Sequence, residues 1–105
     1  MFLRKKPDLA MGLQEFSHFA GRGVLIDVRN PSERKHGYIP GSVNLPLNQL
    51  KSAAKFIPDF DTPVFVYCAN GARAERAVKR LRRAGYKNIK SIGGVEGYRG
   101  ELARD

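Results

Sequence analysis

The sequence predicts an α/β fold in which a mainly parallel sheet is flanked by helices, and three observations carry that expectation. Two short runs, GVLIDV at 23–28 and PVFVYC at 63–68, are β-branched and almost continuously apolar, as strands buried on both faces should be. Helix-like segments alternate with these runs and with two weaker strand candidates, which implies βαβ units and parallel pairing. The chain has 105 residues, without repeats, low-complexity tracts or a Gly/Ser linker, so it reads as one domain spanning 1–105.

The elements follow in order. Residues 9–20 (LAMGLQEFSHFA) place Leu9, Leu13, Phe16 and Ala20 at helical spacing. The strand at 23–28 comes next. NPSERKHG at 30–37 opens with a capping residue and a proline and closes with a glycine, which predicts one short helix. SVNLP at 42–46 is a weak strand candidate, and LNQLKSAAKFI at 47–57 a helix. Pro63 sits where a proline is tolerated, at the start of the strand 63–68. ARAERAVKRLRRAG at 72–85 is the clearest helix: Ala74, Ala77, Val78 and Leu81 form an apolar stripe, the rest is charged, and Gly85 stops it. NIKSI at 88–92 gives a further weak strand, and GVEGYRGELAR at 94–104 a last short helix.

Composition narrows the function. A chain this size buries roughly 60–70% of its unfolded surface, enough for a core without disulfides or metals. Cys68 is the single cysteine, so no internal disulfide forms, and only His18 and His36 are there to join it as zinc ligands. No metal and no cofactor are expected. A reduced, cytoplasmic setting is the simplest home for a lone thiol. The start, MFLRKKPDLAMGL, has no apolar stretch of a secretory signal, and no run approaches the ~18–20 apolar residues of a membrane span. Nothing demands more than a monomer.

The formal net charge is +9. Between positions 73 and 90 the basic residues Arg73, Arg76, Lys79, Arg80, Arg82, Arg83, Lys87 and Lys90 face one acid, Glu75. Such a surface attracts anions, though a solvated helix face is the simpler explanation. Without interleaved aromatics or a nucleic-acid-binding module, nucleic acid is not an expected partner.

Cys68 stands where a strand ends and a helix is about to begin, followed by Ala69, Asn70, Gly71, Ala72 and Arg73. Ligands in parallel α/β sheets bind at the carboxyl ends of the strands. A short loop of small residues can turn successive N–H groups inward as an anion-binding nest, and the following helix adds its unpaired N–H groups and positive dipole end. A thiol held there is favoured as thiolate and so as a nucleophile. The same donors stabilise charge developing on what it attacks.

Four segments together resemble the rhodanese-like domains. LIDVRNPSE (25–33) is similar to that family's Asp-Val-Arg strand signature, HGYIPGSVNLP (36–46) to its Gly-His-Ile-Pro-Gly-Ala-x-Asn-Ile-Pro segment, VYCANGARA (66–74) to its cysteine loop, and SIGGVEGY (91–98) to its closing Gly-Gly-x-x-x-Trp segment. They stand in family order and cover about 24–104. The resemblance implies an about five-stranded, largely parallel sheet and sulfur transfer. Cys68 would take a sulfane sulfur from a small anionic donor such as thiosulfate and hold it as a persulfide. Cyanide, a cellular thiol or an acceptor protein would then receive it. The backbone of Ala69, Asn70, Gly71, Ala72 and Arg73 would cradle the outer sulfur, with Arg73 orienting the loop and the donor and the basic helix face assisting through Arg76.

Cys68 to Arg73 is a Cys-x4-Arg loop. The related cell-cycle phosphatases carry one residue more and a ring wide enough for phosphate, so the shorter ring argues against a phosphatase or an arsenate reductase. The resemblance puts Asp27 and Arg29 near the site mouth as supporting residues, although a structural ion pair explains them more simply. Tyr38 stands where the family often has histidine, and His36 reads as a surface residue. Tyr98 stands where tryptophan is usual, as a packing aromatic. Pro40 and Gly41 read as turn residues. A non-catalytic module that binds an acidic partner through the basic face is the alternative from another class.

Overall fold

A computed structural model describes residues 7–19 and 21–105. Its elements are α1 (Leu9–Ser17), β1 (Val24–Asp27), α2 (Pro31–Arg34), β2 (Ser42–Asn44), α3 (Ala53–Phe56), β3 (Val64–Cys68), α4 (Ala72–Ala84) and β4 (Ile89–Gly94). The four strands form one parallel sheet in the order β2-β1-β3-β4. From β1 the chain crosses to one side and from β3 to the other, so the order reverses between these two strands. That reversal opens a crevice at their carboxyl ends, the place where open α/β sheets bind ligands.

Side-chain alternation divides the core. Val64, Val66 and Cys68 join Ile26 and Val28 on the face covered by α4 and α3, where Ala74, Ala77, Val78 and Leu81 pack. Phe65, Tyr67 and Leu25 point to the opposite face, which α1 closes with Leu9, Phe16 and the adjoining Phe19. Phe16 packs edge-on and Phe19 tilted against Phe65, with ring centroids 5.8 and 6.0 Å away. Gly12 of α1 is buried, and a Cβ there would collide with Ile92 of β4, so a glycine lets the helix approach the sheet closely.

Five expectations are corrected. The sheet has four strands among the described residues rather than about five. Among the described residues the only other pairing is a single antiparallel bridge between Tyr38 and Ala103, because Pro40 lacks a donor and Gly41 turns the chain at φ 86°. The first helix ends at Ser17, and Ala20, expected within it, lies outside the described residues. The second helix is a single turn, Pro31–Arg34; Asn30 caps it as expected, and the structure adds a capping box completed by Glu33. The segment 47–57 is not one helix: a 3-10 segment, Leu47–Ser52, is interrupted at Gln49 (φ −121°, ψ 17°) before α3 begins. The expected helix at 94–104 is only a 3-10 turn, Val95–Gly97. Gly94, Gly97 and Gly100 fall in that stretch, each costing about 1 kcal/mol in a helix interior.

No helix of the described residues is long and apolar enough to cross a membrane.

Candidate active site

The loop from Cys68 to α4 sits at the crevice between β1 and β3. Cys68 ends β3 with no exposed surface. Its Sγ accepts hydrogen bonds from the backbone N–H of Gly71 at 3.0 Å and of Ala74 at 3.3 Å. The loop reaches this geometry because Gly71 adopts φ 102°, a left-handed conformation that glycine enters at little cost. The Asn70 side chain accepts from Ala72 N at 3.1 Å, pinning the turn locally. Among the described residues the N–H groups of Asn70 and Arg73 find no protein acceptor, so the ring holds donors in reserve.

Two further segments fix the loop from below and from the side. β4 carries a bulge opposite Val66 and Tyr67, which brings Gly93 and Gly94 level with Tyr67 and Cys68. These two glycines serve different purposes. Gly93 has φ 106°, whereas Gly94 is extended (φ −134°, ψ 153°) and is required by space, since a Cβ there would lie 2.6 Å from Asn70 Cα. Glu96 N donates to Ala69 O at 3.2 Å, tying the turn after β4 to the loop. On the other side, Arg73 makes a two-pronged ion pair with Glu33 of α2, Nη1–Oε1 2.6 Å and Nη2–Oε2 2.8 Å. The Arg73 hydrogen bonds hold the Glu33 carboxyl down at about 2, and the same contact raises Arg73.

Asp27 and Arg29 are brought together, but not onto the cysteine. Asp27 is fully buried and receives Arg29 Nε at 3.0 Å and Nη2 at 2.8 Å, Arg34 Nη1 at 3.3 Å and the Tyr67 hydroxyl at 3.1 Å. Tyr67 also accepts from Ile39 N and exchanges a bond with Ser42. Burial is the main force raising the Tyr67 hydroxyl above its usual range. This network braces the strand ends and the segment around Gly37, whose carbonyl Arg29 Nη2 reaches at 2.8 Å. None of its bonds goes to the cysteine loop. The simpler reading of the pair, as a structural brace, describes these contacts. Tyr38 is likewise away from the loop, its hydroxyl donating to Asp105 and its ring under Arg34 at 3.8 Å. His36 is exposed, as expected.

Two hollows flank the loop. A cleft of about 890 Å³ lies on the β4 side, lined by residues 69–72, Gly93, Gly94, Tyr98 and the start of α1. A groove of about 340 Å³ lies on the β1 side, between α4 and the residues following β1 and β2. Sequence reasoning did not find Glu33, Gly94 or the α1 contribution. Nothing local links Glu33 to a partner 40 positions away. Among the described residues, no three His, Cys, Asp or Glu side chains gather as a metal site.

A parallel sheet with this strand order, and at its switch point a cysteine whose sulfur accepts two backbone N–H groups, mark a small α/β domain built around one cysteine loop. Residues 12–101 match the rhodanese-like domain, and the chain belongs to that family. It is 39% identical over 90 residues to the uncharacterized protein YqhL of Bacillus subtilis, covering 85% of this chain and 71% of that protein. It is 33% identical over 72 residues to the thiosulfate sulfurtransferase PspE of Escherichia coli, covering 68% and 69%. Among solved structures, an E. coli rhodanese with anions superposes with a TM-score of 0.74 at 28% identity, over 79% of this chain and 99% of that one.

Proposed function

We propose that the chain is a single-domain sulfurtransferase that carries a sulfane sulfur as a persulfide on Cys68. The observation that carries this reading is the pair of N–H groups, Gly71 and Ala74, already aimed at Cys68 Sγ. They stabilise the thiolate that begins the cycle and the thiolate that is released at its end. The Cys68 thiolate attacks the outer sulfur of thiosulfate; the S–S bond breaks and sulfite leaves with the bonding electron pair. Cyanide or an acceptor thiolate then attacks the outer sulfur of the persulfide, and the Cys68 thiolate departs.

The outer sulfur has the unclaimed N–H groups of Asn70 and Arg73 to meet its charge, within a ring formed by Ala69, Asn70, Gly71, Ala72 and Arg73. A buried thiol at the start of a six-residue Cys-x4-Arg loop suits one protruding sulfur atom better than a tetrahedral phosphoryl group. Arg73 contributes as a positioning residue, since Glu33 engages both its terminal nitrogens and fixes the first turn of α4 to α2. A lone thiol suits a monomer working in the reducing cytoplasm.

Intact-mass spectrometry of the reduced protein after thiosulfate treatment, and again after cyanide, tests the cycle. The expected result is a gain of one sulfur, reversed by cyanide with thiocyanate released, and absent in Cys68→Ser. An unmodified wild-type mass would overturn the thiosulfate reading.

A further inference from the structure

The groove on the β1 side presents a physical puzzle. Arg73, Arg76 and Arg80 line it from α4, and Val28, Pro46 and Leu47 with the carboxamides Asn30 and Asn48 complete it. At spacings of three and four, these arginines share one helix face, where like charges destabilise a helix by about 0.2–0.5 kcal/mol per pair. Arg73 is compensated by Glu33. Arg76 and Arg80 are exposed and have no ion-pair partner among the described residues. Arg76 is also near the amino end of α4, where the helix dipole disfavours cations. Arg82, by contrast, has local employment, donating to Ile89 O near the helix end.

Distance decides what kind of anion answers this charge. Ala74 N touches Cys68 Sγ, and Arg80 lies six residues further along α4, about 9 Å at ~1.5 Å per residue. A thiosulfate ion in contact with Cys68 covers only the near end of that span. A ligand that meets both is an extended polyanion. Nucleic acid is the poorer fit, because none of the groove residues is aromatic and bases would find no stacking surface. A polypeptide is the better one: carboxylates pair with the arginines, Asn30 and Asn48 offer hydrogen bonds to a main chain, and Val28, Pro46 and Leu47 offer an apolar floor.

We infer that the groove between α4 and the residues after β1 and β2 docks an acidic polypeptide segment, belonging to the protein that exchanges sulfur with Cys68. Only the partner's identity as a sulfur-exchange protein rests on the proposed function; the docking itself does not.

The test is therefore a binding measurement on Cys68→Ser protein, which reads docking whether or not sulfur is transferred. Fluorescence anisotropy would follow a labelled ten-residue peptide of alternating Glu and Ser. A Lys/Ser peptide, a Gln/Ser peptide and a single-stranded RNA ten-mer serve as comparisons. The acidic peptide is expected to bind, with affinity falling as salt rises. Arg80→Glu should weaken it at least fivefold. Lys79→Glu makes the same charge change about 100° around the helix and should weaken it less than twofold. Equal losses from the two variants would reduce the effect to net charge and overturn the groove. So would equal binding of the Glu/Ser and Gln/Ser peptides. RNA binding tighter than the acidic peptide and weakened by Arg80→Glu would make this a polyphosphate groove and overturn the polypeptide assignment.

Discussion

Gly94→Ala isolates the contact that holds the cysteine loop in place. The backbone at Gly94 is extended, at φ −134° and ψ 153°, so alanine meets no conformational strain and the cost is steric. The added Cβ would lie 2.6 Å from Asn70 Cα, against about 3.5–4.0 Å for a comfortable carbon–carbon contact. The loop must therefore rise by about 1 Å. Overpacking of this kind costs about 1–3 kcal/mol, and a loss of about 2 kcal/mol lowers the melting temperature of a domain this size by roughly 8–16 °C. The same displacement moves the Gly71 and Ala74 donors relative to Sγ, and a 1 Å misplacement can slow a reaction about 10²-fold. Calorimetry and the rate of sulfur loading by stopped-time mass spectrometry measure both effects. Gly41→Ala is the control, because Gly41 has φ 86° with open space around it. It should lose about 1–2 kcal/mol from left-handed strain and load sulfur at the wild-type rate. A Gly94→Ala protein that melts and loads like wild type would refute the packing of the loop on β4.

Two predictions concern the ion pairs. Arg73 lowers Glu33 to about 2 in the folded chain against an ordinary 4.5, so the pair's stabilisation is complete above about pH 4.5 and is lost as pH falls through about 2. Wild type should exceed Glu33→Gln by about 1 kcal/mol at pH 7, the upper range for a partly exposed pair, with the gap closing by pH 2; urea midpoints that differ equally at pH 7 and pH 2 would contradict this assignment. Asp27→Asn leaves Arg29 buried beside a neutral partner and should cost about 3–5 kcal/mol, and a urea midpoint within error of wild type would show that the pair is not a brace.

Where local chemistry suffices, the elements were legible. The strands VLID and VFVYC are largely β-branched, aliphatic or aromatic runs whose burial follows from composition, and α4 has its stripe within its own 13 residues and its glycine stop, Gly85, directly after them. The break inside 47–57 and the failure of the last helix belong to a different class: an apolar pattern permits a helix there, but the path of the chain and three glycines decide otherwise. Cys68 was recognisable because strand, small-residue loop and helix are contiguous, so the nest that surrounds the sulfur is a local property.

The partners of that loop are not local. Glu33 meets Arg73 across 40 residues, and Gly93 and Gly94, adjacent and identical in sequence, are needed for unlike reasons, one for a positive φ and the other for room beneath Ala69 and Asn70. The alternating α/β order, the cysteine at the end of β3 and the donors of its own loop are readable from the chain alone, because these depend on neighbours along it. It takes the folded chain to show that Asp27 and Arg29 bond at the strand ends, that Arg73 is turned toward α2, and that Arg76 and Arg80 line a groove. Which charge meets which depends on how strands β1 and β3 bring their far ends together, and that is set by packing rather than by spacing.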